Sequence, residues 1–231
     1  MTRHQLVHQS VRIHVDDVYL EGDLHVPPSP VGMVLFAHGS GSSRLSPRNN
    51  YVAARLRESG IGTLLIDLLT ADEDRDSSTR FDIELLTLRL AAAVNWMRLN
   101  EDIQSHALGL FGASTGAAAA LQLAAFFRQG RDDGIAAVVS RGGRPDLASQ
   151  EALQTITAPT LLIVGGEDSV VIGLNEQAYT LMRCEKRLQI IPGANHLFEE
   201  SGALEKVSEL AVFWFLRYLT PPTLPNQKIV R

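Results

Sequence analysis

Residues 107–127 read ALGLFGASTGAAAALQLAAFF. The apolar run Ala107–Phe111 is short and uninterrupted, which is typical of a strand that is buried on both faces of a sheet. The segment Ala117–Phe127 is rich in alanine and long enough to form a helix. Between them, Gly112-Ala113-Ser114-Thr115-Gly116 is a G-x-S-x-G pattern. We therefore predict a strand, a tight glycine turn with Ser114 at its apex, and a helix.

The same alternation of apolar runs and helical patterns continues on both sides of this stretch. Short apolar runs predict buried strands at Val31–Ala37, Gly62–Asp67, Ile135–Ser140, Thr160–Val164 and Arg187–Ile191. Helical patterns lie at Ser46–Glu58, Phe81–Leu99, Pro145–Leu153, Val171–Met182 and Leu204–Leu219. The alternating segments Val11–Val15 and Val18–Val26 predict a hairpin, and Asp72–Ser78 predicts a loop. The pattern indicates the α/β class: a mostly parallel central sheet with helices on both faces and an antiparallel N-terminal edge.

The composition is that of an ordinary globular chain. The 231 residues are 45% hydrophobic and 20% charged, and we expect one domain over residues 1–231. Its core is expected at about residues 11–219, with a loosely ordered tail at 220–231. The net charge of −5 argues against nucleic acid as a partner.

No segment of the sequence predicts attachment to a membrane, a metal or a cofactor. The apolar runs are shorter than the roughly 20 residues that cross a bilayer. No apolar region follows Met1–Gln5, so we expect no signal peptide and a cytoplasmic location. The single cysteine, Cys184, excludes an intrachain disulfide and a cysteine zinc site.

The loop after the predicted strand Val31–Ala37 begins His38-Gly39-Ser40-Gly41. In open α/β sheets the ligand binds beyond the carboxyl ends of the strands, where this loop is expected. An acyl-transfer site needs two N–H donors for the oxyanion, and the backbone N–H groups of Ser40 and Thr115 are the candidates. We interpret His38 as a side chain that braces the loop. A phosphate-binding turn is the alternative, but the sequence lacks G-x-x-x-x-G-K-[ST].

Two later loops carry candidate partners for Ser114. Asp168 ends a Gly-Gly-Glu-Asp segment after one predicted strand, and His196 ends a Gly-Ala-Asn-His segment after the next. A nucleophilic serine needs a general base, and the base needs an orienting group. The chain order predicts a catalytic triad of Ser114, Asp168 and His196, with His196 as the base. Glu167 is the alternative acid.

With these residues in place, the chain resembles a single-domain α/β-hydrolase of the dienelactone-hydrolase-like branch. The resemblance rests on the segments 38–44, 112–116 and 193–196 together with Asp168, and it extends from about Val11 to Leu219. It implies a serine hydrolase with the triad above. Dienelactone hydrolases use a cysteine nucleophile, whereas this chain has Ser114 in that place and Cys184 far from it. The resemblance therefore implies an esterase rather than a true dienelactonase.

The spacing of two predicted strands indicates how large a substrate the site can take. About 19 residues separate the strands predicted at 135–140 and 160–164, which leaves no room for a lid domain. We therefore expect an open, shallow pocket and small ester or lactone substrates.

Three arginines lie on loops at the predicted site: Arg44, Arg48 and Arg141. Arginine forms bidentate pairs with carboxylate or phosphate, so these residues, Arg141 above all, are candidates for binding an anionic group of the substrate. The alternative is that they hold the loops through ion pairs with Asp67, Asp72, Glu73 or Asp74.

Several other functions fit the same sequence. A thioesterase or small peptidase would use the same triad, and a non-catalytic binding protein would keep only the fold. A nicotinamide oxidoreductase could use the turn at Gly109–Gly116, but its glycines are not spaced G-x-G-x-x-G. The sequence is compatible with a monomer or a homodimer.

Overall fold

The central feature of the structure is one mixed β-sheet. The computed structural model describes residues 7–127 and 134–220, in which eight strands form a sheet in the order β1-β2-β4-β3-β5-β6-β7-β8. The strands are β1 Val7–Val15, β2 Val18–Val26, β3 Gly32–Ala37, β4 Ile61–Ile66, β5 Leu108–Ala113, β6 Ile135–Arg141, β7 Thr160–Gly165 and β8 Lys186–Ile191. The helices are α1 Pro47–Glu58, α2 Ser77–Arg80, α3 Ile83–Leu99, α4 Thr115–Phe126, α5 Gln150–Thr155, α6 Ser169–Leu181 and α7 Ala203–Leu219.

The antiparallel N-terminal edge is confirmed. Strand β1 pairs with β2, and β2 pairs with β4, both antiparallel, whereas the pairs from β4 through β8 are all parallel. The hairpin turns at Asp16, whose φ of 51° suits a two-residue hairpin loop. Strand β1 begins at Val7, four residues before the predicted start, because its exposed residues also pair with β2.

Helices cover both faces of the sheet, as predicted. Alternate residues of the central strands point to opposite sides, so Val34 and Phe36 pack with α1 and α7, while Leu35 and Ala37 pack with α3 and α4. Helix α1 begins as the sequence predicts: Pro47 is its first residue, and the Ser46 Oγ accepts a hydrogen bond from the Asn49 N–H at 3.3 Å. Within the described residues, no helix has the length and apolar character needed to span a bilayer.

Two connecting segments differ from the predictions. The predicted helix Pro145–Leu153 is wrong as one element, because a 3₁₀ helix at Pro145–Leu147 is separated from α5 by the extended Ala148 and the Ser149 cap. The predicted loop Asp72–Ser78 contains a 3₁₀ helix at Glu73–Arg75 and the start of α2.

The connection from β6 to β7 decides the access to the carboxyl ends of the strands. Within the described residues it holds only the 3₁₀ helix at Pro145–Leu147 and the short α5, so there is no lid domain at this position. The single-domain boundaries stay a prediction. Of the predicted tail, residues 221–231 lie outside the described part of the chain.

Candidate active site

Ser114 lies at the junction between strand β5 and helix α4. Its backbone has φ of 51° and ψ of −119°, a conformation that L-residues rarely adopt. The N–H of Ser114 donates to the Arg141 carbonyl oxygen at 3.2 Å, and the Ser114 carbonyl oxygen accepts from the Arg144 N–H at 3.1 Å. These bonds to the end of β6 and the turn beyond it hold the strained residue in position.

The two glycines of the G-x-S-x-G pattern allow this close turn. A Cβ atom on Gly112 would lie 2.4 Å from the Ala117 Cα, and one on Gly116 would lie 2.3 Å from the His38 carbonyl oxygen. Both distances are far shorter than a van der Waals contact, so neither position has room for a side chain. The pattern is therefore a packing requirement of the strand-turn-helix junction, as the sequence predicted.

His196 and Asp168 are brought together by loops that follow neighbouring strands. The His196 Nδ1 lies 2.6 Å from the Asp168 Oδ2. The Nε2 is therefore the ring nitrogen that does not bond to Asp168. The Asp168 side chain is 17% exposed and that of His196 is 39% exposed. The side chain of Glu167, the alternative acid, is exposed, and the ion pair of His196 is with Asp168.

Backbone hydrogen bonds tie the two loops to each other. The Glu167 N–H donates to the Ala194 carbonyl oxygen at 3.0 Å, and the Gly166 N–H donates to the Ile191 carbonyl oxygen at 2.8 Å. A Cβ atom on Gly165 would lie 2.3 Å from the Asn195 carbonyl oxygen. The glycines before Asp168 thus allow the histidine loop to approach, which fixes the distance between His196 and its carboxylate.

The loop after β3 lies directly against the nucleophile position. A Cβ atom on Gly39 would lie 3.0 Å from the Ser114 Cβ. Ser40 lines the same pocket as Ser114, and Thr115 is the first residue of α4, whose first N–H groups have no acceptor within the helix. The two predicted oxyanion donors therefore belong to segments that meet at Ser114.

His38 braces this loop, as interpreted from the sequence. Its side chain is 5% exposed, with the Nδ1 2.9 Å from the Gly39 carbonyl oxygen and the Nε2 accepting from the Leu68 N–H at 2.9 Å. These partners require the neutral ring with its proton on Nδ1. Burial lowers the pKa of His38 below its ordinary value, which favours that neutral form.

The serine and the histidine share one pocket of about 200 Å³. It is lined by Gly39, Ser40, Ser42, Ser46, Arg48, Asn49, Ala113, Ser114, Arg141, His196 and Leu197. Sequence reasoning did not predict Asn49 and Leu197 as pocket residues, because neither belongs to a recognisable motif.

The three candidate arginines have different environments. Arg44 lies outside the pocket lining: its guanidinium pairs with Asp67 and, at 3.3 Å, with Asp23, so it fits the predicted alternative of holding loops. Arg48 lines the pocket and is 3.6 Å from Glu199, a partner that the sequence analysis did not identify. Arg141 lines the pocket and is buried, with 7% of its surface exposed.

Metal ligation has no evident basis at this site. Among residues 7–127 and 134–220, no group of three or more histidine, cysteine, aspartate and glutamate side chains is arranged to hold an ion. His8, outside this site, stacks on His25 with ring centroids 3.8 Å apart.

Known proteins share both the sequence and the architecture. Residues 30–211 match the family described as an alpha/beta hydrolase domain. A dienelactone hydrolase from Anabaena variabilis is 53% identical, with a TM-score of 0.87, and the match covers 94% of this chain and 100% of that chain. Est1E from Butyrivibrio proteoclasticus has a TM-score of 0.77 at 17% identity, covering 92% of this chain and 99% of that chain, which is a likeness of fold.

Two curated relatives carry a different name. Both are proteins of Mycobacterium tuberculosis named "Putative phosphoribosyl transferase", and each is 50% identical to this chain over 214 residues. The match covers 93% of this chain but 47% of each relative, so the chain spans about half the length of the curated relatives it matches.

Proposed function

This chain belongs to the α/β-hydrolase family, and on that premise we propose that it is a serine hydrolase that cleaves small esters or lactones. One observation carries the proposal: Ser114, strained at the tip of β5, shares a pocket with His196, whose Nδ1 is bonded to the Asp168 carboxylate. A serine, a base and a group that orients the base are what nucleophilic acyl transfer needs.

The first half of the reaction forms an acyl-enzyme. The Ser114 Oγ attacks the carbonyl carbon of the ester, and its proton passes to the His196 Nε2. Asp168 accepts the Nδ1–H bond and stabilises the imidazolium that forms. The N–H groups of Ser40 and Thr115 donate to the developing oxyanion. As the bond between the carbonyl carbon and the alcohol oxygen breaks, His196 gives its proton to that oxygen.

The second half returns the enzyme to its starting state. A water molecule loses a proton to the His196 Nε2 and attacks the acyl carbon. The bond between that carbon and the Ser114 Oγ then breaks, His196 returns the proton to the Oγ, and the carboxylic acid leaves. A thioester or an amide could enter the same cycle with a different leaving atom, so thioesterase and small-peptidase activities are the alternatives within this chemistry.

The name of the curated relatives does not compete directly with this proposal. It belongs to proteins about twice as long as the region that matches this chain, and in this chain that region overlaps residues 30–211, which match the alpha/beta hydrolase domain. The name therefore assigns no activity to these residues by itself.

The test begins with covalent labelling of the folded protein by a fluorophosphonate probe. We expect one adduct per chain on Ser114, and no adduct in S114A. An unlabelled wild-type protein would contradict the serine-hydrolase mechanism. Rates with p-nitrophenyl acetate, an acyl thioester and an aminoacyl amide then rank the three kinds of substrate.

A matched pair of variants tests the acid. D168N should lower kcat by about 10,000-fold, because the amide favours the wrong tautomer of His196. E167Q changes the adjacent, exposed carboxylate and should keep nearly full activity. The reverse result, a loss in E167Q alone, would assign the acid to Glu167.

A further inference from the structure

Arg141 is a buried cation in the lining of the candidate site. It is the last residue of β6, and its carbonyl oxygen accepts the Ser114 N–H. Its side chain lines the pocket with Ser114 and His196, and 7% of the residue is exposed. A charge in such a place is costly unless an opposite charge and hydrogen bonds compensate it.

The protein supplies Arg141 with little compensation. Its one side-chain hydrogen bond is a long contact of 3.5 Å from the Nη2 to the Asn49 Oδ1, and its Nε is buried without an acceptor in the described part of the chain. The guanidinium also lies over the Phe198 ring, 5.7 Å from the centroid. None of the ion pairs formed between described residues includes Arg141.

A second positive charge, on Arg48, makes the arrangement less favourable. Burial and the neighbouring Arg48 lower the pKa of Arg141 to about 10, so the group is still protonated at neutral pH. Arg48 itself has a weak partner in Glu199 at 3.6 Å, and its Nε is also buried without an acceptor. Two cations thus face one small cavity, and both have unused donors.

Arg44 provides an internal comparison. That arginine belongs to the same end of the sheet, but its guanidinium is paired with both Asp67 and Asp23. An arginine that only holds loops is paired in this way. The Arg44 Nε also lacks a hydrogen-bond acceptor, so the difference lies in the carboxylates. Of the three candidate arginines, the two that line the pocket of Ser114 have no close carboxylate partner: Arg48 has Glu199 at 3.6 Å, and Arg141 has none among the described residues.

We propose that Arg141 and Arg48 form an anion subsite that binds a carboxylate or phosphoryl group on the acyl part of the substrate, beside Ser114. This inference rests on the proposed serine-hydrolase function. It specifies the substrate class as esters with an anionic acyl part. The planar guanidinium donates in parallel to two oxygens of such a group. The cavity of about 200 Å³ limits the acyl part to a compact one, with the anion a few bonds from the reacting carbonyl.

The kinetic test uses p-nitrophenyl esters that differ in the group at the end of a short acyl chain. They are p-nitrophenyl hemisuccinate, the p-nitrophenyl ester of 3-phosphonopropanoate, and the neutral isostere p-nitrophenyl 4-methylpentanoate. We expect kcat/KM of the wild type to be at least about tenfold higher for one of the anionic esters than for the neutral one. The anionic ester with the higher kcat/KM shows whether the subsite prefers a carboxylate or a phosphoryl group.

The arginine variants then assign the selectivity. R141M and R48Q should lower the anionic-to-neutral ratio of kcat/KM by about 10-fold to 100-fold, mainly through the anionic ester. R141K should recover part of the ratio, because it keeps the charge without the planar fork. R55Q changes an exposed arginine on the same helix as Arg48 and should leave the ratio unchanged. Equal losses for all esters would overturn the proposal.

A binding measurement separates this inference from the proposed function. In S114A, succinate or inorganic phosphate should raise Tm at constant ionic strength, and this rise should be absent in S114A/R141M. In buffer without such anions, R141M should have an unchanged or higher Tm, because it keeps the apolar stem and removes an unpaired charge. A lower Tm, or failure to fold, would make Arg141 a structural residue and overturn its assignment.

The outcomes are distinguishable. If Ser114 is not labelled but succinate or phosphate binds through the arginines, the serine-hydrolase proposal fails and the anion subsite stands. If esters are hydrolysed with an anionic-to-neutral ratio of kcat/KM near one, and neither R48Q nor R141M changes that ratio, the subsite fails and the hydrolase proposal stands.

Discussion

At the scale of single residues, His38 joins the loop after β3 to the segment after β4: its Nδ1 bonds to the Gly39 carbonyl oxygen within its own loop, and its Nε2 accepts the Leu68 N–H. Its neutral form is required, because a protonated Nε2 could not accept the Leu68 N–H. Burial lowers the pKa of His38 in the folded protein below the ordinary 6.5 that the unfolded chain retains. As the pH falls below about 6.5, the unfolded chain therefore binds a proton that the folded chain refuses, and stability falls.

We therefore expect H38Q to change the pH dependence of stability as well as its size. At neutral pH, loss of a buried hydrogen bond should lower Tm by about 2–4 °C. Between about pH 7.5 and 5, the wild type should lose more stability than H38Q. His25, whose pKa burial lowers to about 4, is present in both proteins and cancels in the comparison. Parallel curves would show that His38 does not titrate in this way.

At the scale of elements, the junction of β5 and α4 depends on glycines at positions where no side chain fits. G116A would place a methyl group 2.3 Å from the His38 carbonyl oxygen, so the helix or the loop after β3 has to move. We expect the free energy of unfolding to fall by about 1–3 kcal/mol, and kcat to fall because the loop carries Ser40.

Helix α6 offers the matched control for that experiment. A Cβ atom on Gly173 would meet nothing within 4 Å, and the residue lies inside the helix. G173A should raise the free energy of unfolding by about 0.5–1 kcal/mol, because alanine loses less backbone entropy than glycine. Urea denaturation measures both variants. Similar losses in G116A and G173A would mean that the close approach at Gly116 is not the cause.

At the scale of the whole molecule, the short β6–β7 connection provides no covering domain over the site within residues 142–159. A fully buried methylene contributes about 0.8 kcal/mol, close to a fourfold gain in kcat/KM. A pocket of about 200 Å³ without a lid cannot bury many of them. Among neutral p-nitrophenyl esters, we expect kcat/KM to be highest for short acyl chains and to be lower for decanoate. A steady increase with chain length would indicate an apolar channel for the chain.

Much of this architecture could be predicted from local patterns. The apolar runs of β3, β4, β5 and β7 are strands that are buried on both faces, whereas β8 is only partly buried. The capping residues Ser46 and Pro47 mark a real helix start. The short helices α2 and α5 were harder to predict. Each has at most six residues, so a hydrophobic period cannot develop, and single caps such as Asp76 and Ser149 determine them.

The sequence by itself determined the strand-turn-helix at Ser114 and the order of the proposed catalytic residues, because a tight turn demands glycine and parallel strands end at one edge of the sheet. Only the tertiary structure decided which arginine is paired. Arg44 reaches Asp67, 23 residues away, because the loops after β3 and β4 are adjacent. Arg141 meets no carboxylate among the described residues, since β6 ends in the pocket beside Arg48. Ion pairing depends on neighbours in space, which residue patterns along the chain do not specify.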